Sequence, residues 1–318
     1  MSEKNYLSGW GYRAVIITAL TAAVGYLCFY IWGGRQGVSE AIAKVGVAGL
    51  AAAMALAFAN YSIRFLRWQM YFSALDQNLP SWPSFKIYLA GFALTTTPGR
   101  AGEGLRAVLF KRLAVPYPKS FAAYFSERLS DLFAITLLTL SGLTLYSHAN
   151  GFILFGVGLT LAGAALLLQR ELILRAVKFV PKNFRRTIQL AGHLGDMLLE
   201  AQRCNTPKIF IVAALLGIFA CTLEAAAFYY ILGWIGADLP ISFAIFVYSV
   251  SILAGALSFI PGGLGGVEAV MVAMLMWKGV SNADAIAATV LIRLCTLWFS
   301  VAVGVIALMN VDKPSRPA

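Results

Sequence analysis

The chain has 318 residues, 60 % of them hydrophobic and 12 % charged, with a formal net charge of +11 and a mean hydropathy of +0.77. So little polar surface excludes a water-soluble globular protein, and the solvent has to be largely lipid. Nor does the positive charge point to nucleic acid, because the basic residues lie mainly in short segments beside apolar stretches, where the Lys and Arg bias of cytoplasmic loops accounts for them.

A spanning helix needs about 20 mostly apolar residues. Residues 14–32 form the first such stretch and read as a retained anchor, because no small-residue cleavage site follows them. Residues 41–63 form the second, rich in Gly and Ala as close helix packing requires. The apolar piece 87–97 then runs into Pro98, Gly99, Gly102 and Glu103, and a short helical piece, 107–113, follows. Proline and glycine break a helix and release backbone groups, which at membrane depth is tolerated only inside protein or beside water. A re-entrant hairpin is therefore expected, with an ordinary pair of spans as the alternative.

Residues 120–146 make a third span that carries Glu127, Arg128 and Asp131 near its start. An uncharged link leads to a fourth, 151–169, and then to a basic segment, 170–206, expected in the cytoplasm and containing an amphipathic stretch, 184–201, suited to a membrane surface. Residues 208–234 are a fifth span, interrupted by Glu224. A second hairpin is expected where 241–260 meets Pro261, Gly262, Gly263, Gly265, Gly266 and Glu268, with 269–277 beyond it. The sixth span, 283–309, contains Arg293. The expectation is an all-α polytopic membrane protein, a single transmembrane domain over 1–318 with about six full spans and two re-entrant helical hairpins, both termini being cytoplasmic.

The halves overlay. Glu103 precedes Arg128 by 25 positions and Glu268 precedes Arg293 by 25, while Pro98-Gly99 matches Pro261-Gly262 and Leu79-Pro80 matches Leu239-Pro240. Repeat 1 covers about 41–146 and repeat 2 about 207–310, with hairpins entering from opposite faces. An inverted repeat of this kind is common among secondary transporters, which bind substrate where broken helices meet.

Ionisable groups at bilayer depth cost several kcal/mol unless paired or wetted. Arg100, Glu103, Arg106, Arg128, Asp131, Glu268 and Arg293 are therefore the candidate substrate-binding residues, and the glycines and prolines of the two clusters are the hairpin turns. Two blander roles stay open: each glutamate suits the cap of the helix it starts, and each arginine suits its own repeat's glutamate. Arginine also grips phosphate through two donors, and Arg64, Arg67, Arg100 and Arg106 are expected together at the cytoplasmic mouth, as a phosphate site or as interfacial anchors. Cys28, Cys204, Cys221 and Cys295 are too widely spaced for a zinc or disulfide framework. No catalytic, metal or cofactor motif is present, so an enzyme is not expected.

The run Pro98-Gly99-Arg100-Ala101-Gly102-Glu103-Gly104-Leu105-Arg106, the sequence Glu127-Arg128-Leu129-Ser130-Asp131, and Pro261-Gly262-Gly263-Leu264-Gly265-Gly266-Val267-Glu268 with Arg293 resemble the lysylphosphatidylglycerol synthase transmembrane (flippase) family. The likeness runs over about residues 14–310. It implies an inner-membrane protein that moves or handles an amphiphilic lipid, here without the soluble aminoacyl-transfer domain of the two-domain synthases. Membrane lipids are the expected partners, with a separate lipid-synthesis enzyme and a second copy of the chain as protein partners left open. The alternatives are a membrane-embedded lipid- or glycolipid-modifying enzyme and a non-transporting accessory subunit of an envelope-lipid pathway.

Overall fold

The structure, a computed structural model, describes residues 35–97, 103–146, 158, 185–258 and 260–311; the expected span 14–32, and all of the expected span 151–169 but residue 158, lie outside them. The described residues are helical, without strands. Helix α1 (Arg35–Ala74) is longer than the apolar run that announced it and breaks at Gly46, whose φ of 67° suits a residue lacking Cβ. The first hairpin comprises α2 (Ser81–Ala90), a 3-10 turn (Gly91–Leu94) and α3 (Leu105–Phe110). Helix α4 (Tyr117–Tyr146) follows, then α5 (Arg185–Cys204) and α6 (Pro207–Ile235). The second hairpin comprises α7 (Ile241–Leu257) and α8 (Gly266–Trp277). Helix α9 (Asn282–Arg293) continues through a π-helical turn (Leu294–Trp298) into α10 (Phe299–Met309).

Among the described residues, three segments are long and apolar enough to cross a membrane: Gly37–Ala74, Pro207–Ile235 and Asn282–Met309. The hairpin arms are shorter. At 1.5 Å per residue the 17 residues of α7 reach only about 26 Å, short of a hydrocarbon core of about 30 Å. Prolines set several helix starts, since a missing N–H costs nothing there: Pro207 opens α6, while Pro80 and Pro240 precede α2 and α7. Gly236, in the left-handed region, closes α6.

The helices pair across the halves. Helix α1 lies against α6; α2 and its 3-10 turn pack on α10, and α7 packs on α4, so each hairpin rests on the last helix of the other half. Two apolar cores result. One gathers Phe228, Phe243, Met271 and Leu291 around the second hairpin and the first part of α1. The other gathers Trp68, Phe72, Tyr88 and Phe110 around the first hairpin and the last part of α1.

The amphipathic helix α5 docks on α4, where Asn205 just beyond it donates to Ser126 Oγ at 2.7 Å. Outside the spans, Arg203 donates to Asp76 in the α1–α2 link, and the guanidinium holds this exposed carboxyl below its ordinary range.

Gly304 marks the tightest approach of a hairpin to a span. A Cβ there meets Ala93 N at 2.2 Å and Phe92 C at 2.6 Å, both backbone atoms that cannot step aside. Gly304→Ala is expected to cost about 1–3 kcal/mol, as overpacking does, and to lower the apparent melting temperature in detergent. At Gly233, where nothing lies within 4 Å, the same change is expected to leave it level or slightly higher.

Candidate functional site

A buried layer of charge runs along α1, α4 and the first hairpin, built first by spacing. Glu127 and Asp131, four positions apart on α4, share a face, and Arg64 and Arg67, three apart on α1, oppose them. Asp131 accepts from Arg64 and Arg67, one on each carboxylate oxygen, both at 2.6 Å. Glu127 accepts from Tyr88 at 2.8 Å and Arg106 at 3.1 Å, with Arg67 at 3.5 Å. One turn along, the Tyr71 hydroxyl meets Ser126 O and Ser130 Oγ. Gly217 on α6 makes room, since a Cβ there stands 2.9 Å from Arg67 Nη1.

Arg106 is sealed in this layer. Its guanidinium carbon sits 4.1 Å from the Tyr88 ring centre, 4.9 Å from Phe92 and 5.5 Å from Trp68, and its stem fills the space above Gly91. Its Nη2 lies 3.3 Å from Glu103, which also accepts from Thr95 Oγ1 at 3.3 Å.

In the second half Glu268 works with both oxygens. One accepts the Gly265 N–H at 2.7 Å and so caps α8; the other pairs with Arg293 Nε at 2.6 Å. Arg293 also donates to Gly262 O at 2.8 Å, meeting a carbonyl freed where Gly262 and Gly263 turn through positive φ. Capping and pairing were open alternatives for this glutamate, and the geometry has both. The π turn after Arg293 departs from the α-helical pattern, and within it Thr296 O accepts from Tyr61 at 2.7 Å.

A cavity of about 330 Å³ opens onto the charge layer from between the halves. Arg64, Glu103, Arg128 and Asp131 line it from the first half; Glu224, Tyr248, Ser249 and Arg293 line it from the second. Arg128 differs from its neighbours. It is 23 % exposed, and its Nη2 stands 3.4 Å from Glu103, 3.4 Å from Glu127 and 3.5 Å from Asp131. Among the described residues its Nε and Nη2 make no hydrogen bond.

Of the sequence-predicted site residues, Glu103, Arg128, Asp131 and Arg293 thus meet at the cavity, while Arg106 and Glu268 stand behind its wall. Arg100, with Pro98, Gly99 and Gly102, lies outside the described residues. Arg64 and Arg67, expected at the cytoplasmic mouth, are instead buried against Asp131, because a carboxylate on the facing helix satisfies them better than a long reach to the interface. Asn60, Tyr61 and Tyr248 also line the cavity, with no charge in the sequence to mark them. The polar stripe Asn60, Arg64, Arg67, Tyr71, at helical spacing inside an apolar run, was the available signal for the α1 face.

A family model described as the lysylphosphatidylglycerol synthase TM region matches residues 14–304. Two UPF0104 membrane proteins of Methanothermobacter thermautotrophicus are 25 % and 22 % identical to the chain, over 93 % and 95 % of it and 94 % of each relative. A UPF0104 membrane protein of Methanocaldococcus jannaschii is 26 % identical over 70 % of the chain and 95 % of its own length.

Asp131 is the pivot of the layer. Asp131→Asn leaves two buried guanidiniums without their carboxylate and is expected to cost about 3–5 kcal/mol, read as a lower apparent melting temperature. Arg64→Gln added to it is expected to recover part of the loss, the sign of a direct coupling.

Proposed function

Because the chain belongs to the lysylphosphatidylglycerol synthase TM region family, we propose that this integral membrane protein binds the phosphate-bearing headgroup of a membrane lipid in the cavity between its halves and carries it across the bilayer. The observation that carries the reading is Arg128. Buried polar groups are normally hydrogen-bonded, yet this guanidinium faces the cavity with donors unused by the described residues and three carboxylates held at ion-pair distance. A phosphate entering from the cavity supplies the acceptors in the paired geometry that arginine favours. Acyl chains remain in lipid, as the apolar cavity residues Leu132, Ile135, Ile252 and Leu253 allow.

In this reading Arg293 and Glu268 hold the second turn in shape, and Arg128 exchanges its long contacts with Glu103 and Glu127 for the phosphate of the headgroup. The headgroup moves without covalent chemistry, so no catalytic residue is assigned. We place the protein in the cell's inner membrane with both termini cytoplasmic, on the strength of the basic 170–206 segment.

Arg128→Gln, which keeps the side chain polar at a partly exposed site, is expected to slow transbilayer movement of a fluorescent phospholipid in reconstituted vesicles at least tenfold. An unchanged rate in a folded variant overturns the reading.

A further inference from the structure

The charged side chains that line the cavity cancel: Arg64 and Arg128 offset Glu103 and Asp131 in the first half, and Arg293 offsets Glu224 in the second. Each of those carboxylates is also engaged. Glu103 faces Arg106 and Arg128, Asp131 holds Arg64 and Arg67, and Glu224 accepts from Tyr248 and has a further interaction besides. Once a phosphate has met Arg128, a second charge on the headgroup has no open partner here. Burying an unpaired ammonium is costly, whereas a hydroxyl needs only a neutral acceptor or donor.

Neutral groups of that kind are present. Six hydroxyls of described residues line the cavity, and five of them already donate: Thr95 to Glu103, Tyr61 to Thr296 O, Tyr248 to Glu224, Thr296 to Ile292 O and Ser300 to Leu297 O. The sixth differs. Ser249, on α7, is buried yet makes no hydrogen bond among the described residues, not even the return to its own helix that Thr296 and Ser300 make. Asn60, on α1, donates an amide N–H to Ala220 O at 2.7 Å, and its side-chain oxygen accepts no hydrogen bond among the described residues. Neither oxygen is shut off from open space. Buried polar groups are normally partnered, so two idle ones on a cavity wall call for a ligand.

We infer that Ser249 and Asn60 form a subsite for an uncharged, hydroxyl-bearing headgroup, a small polyol joined to the phosphate that Arg128 holds. A ligand hydroxyl donates to Asn60 Oδ1, and the Ser249 hydroxyl donates to a ligand oxygen. The cavity volume of about 330 Å³ falls within the range of small-ligand sites.

The inference rests on the lipid-binding reading above and is separable from it by experiment. The full chain in detergent is titrated with phosphatidylglycerol, with phosphatidylpropanol, which has the same charge and carbon skeleton but no headgroup hydroxyls, and with phosphatidylethanolamine; bound lipid is counted by native mass spectrometry. Wild type is expected to favour phosphatidylglycerol about tenfold over the other two, as one or two neutral hydrogen bonds allow. Ser249→Ala is expected to shrink the preference over phosphatidylpropanol, and Ser249→Ala with Asn60→Ala to erase it, while Arg128→Gln weakens all three lipids together. The preference is a ratio read on one sample, so partial unfolding of a variant lowers every lipid alike and leaves it unmoved. A wild type that binds phosphatidylglycerol and phosphatidylpropanol equally, one that favours phosphatidylethanolamine, or a preference that survives undiminished in Ser249→Ala, overturns the hydroxyl subsite while leaving the phosphate role of Arg128 standing. Binding of all three lipids that is indifferent to Arg128→Gln, or equal competition by glycerophosphoglycerol, the same headgroup without acyl chains, overturns the lipid-binding reading itself.

Discussion

A guanidinium inside a membrane protein has to meet a carboxylate on a neighbouring helix, and the arrangement of this protein follows from that requirement. Helix α4 supplies Glu127 and Asp131 on one face, α1 answers with Arg64 and Arg67, and the first hairpin adds Arg106 and Glu103. Removing either sign strands the other in a medium that cannot solvate it. The layer therefore fixes the register of α1 on α4. Glycine enters at the contacts that charge and aromatic bulk crowd: Gly91 beneath Arg106, Gly217 beside Arg67, and Gly142 against Phe246, where α7 crosses α4.

The two halves solve one problem with different tightness. Arg293 and Glu268 form a short, fully buried pair that also fastens the turn through Gly262 O. Arg128 and Glu103, at the matching sequence spacing, stand farther apart, and Arg128 reaches the cavity. A protein that moves a headgroup past paired charges needs a pair that parts easily, because any tight bond broken on binding is subtracted from affinity. The looser pair is the one beside the cavity. The tighter pair holds a glycine-rich turn whose freed backbone would otherwise need water.

Much of this was legible in the sequence. The long apolar runs became α1, α4, α6 and the α9–α10 helix, and the Pro-Gly cluster of the second half became a turn at positive φ. The equal Glu-to-Arg separation reported real contacts in both halves, since the apolar surroundings leave a charge few other partners. What the sequence concealed depends on the third dimension. Arg64 and Arg67 sit near the end of an apolar run, where an interfacial anchor and a buried partner of Asp131 look alike. Tyr61, Tyr88 and Tyr248 carry no charge to mark them, and their value lies in where a hydroxyl points. The π turn at Leu294–Trp298 has no glycine or proline to announce it.

In the function proposed, lipid headgroups occupy the cavity between the halves rather than only the outer surface. It is tested most directly by photo-crosslinking a phospholipid with a diazirine on its headgroup to the full chain in vesicles, followed by peptide mapping. Labels are expected on cavity residues such as Leu132, Ile135, Ile252 and Leu253, displaced by excess unlabelled lipid. Labels confined to exposed outer positions such as Ile211, Leu215 and Phe219, and indifferent to competitor, would contradict it.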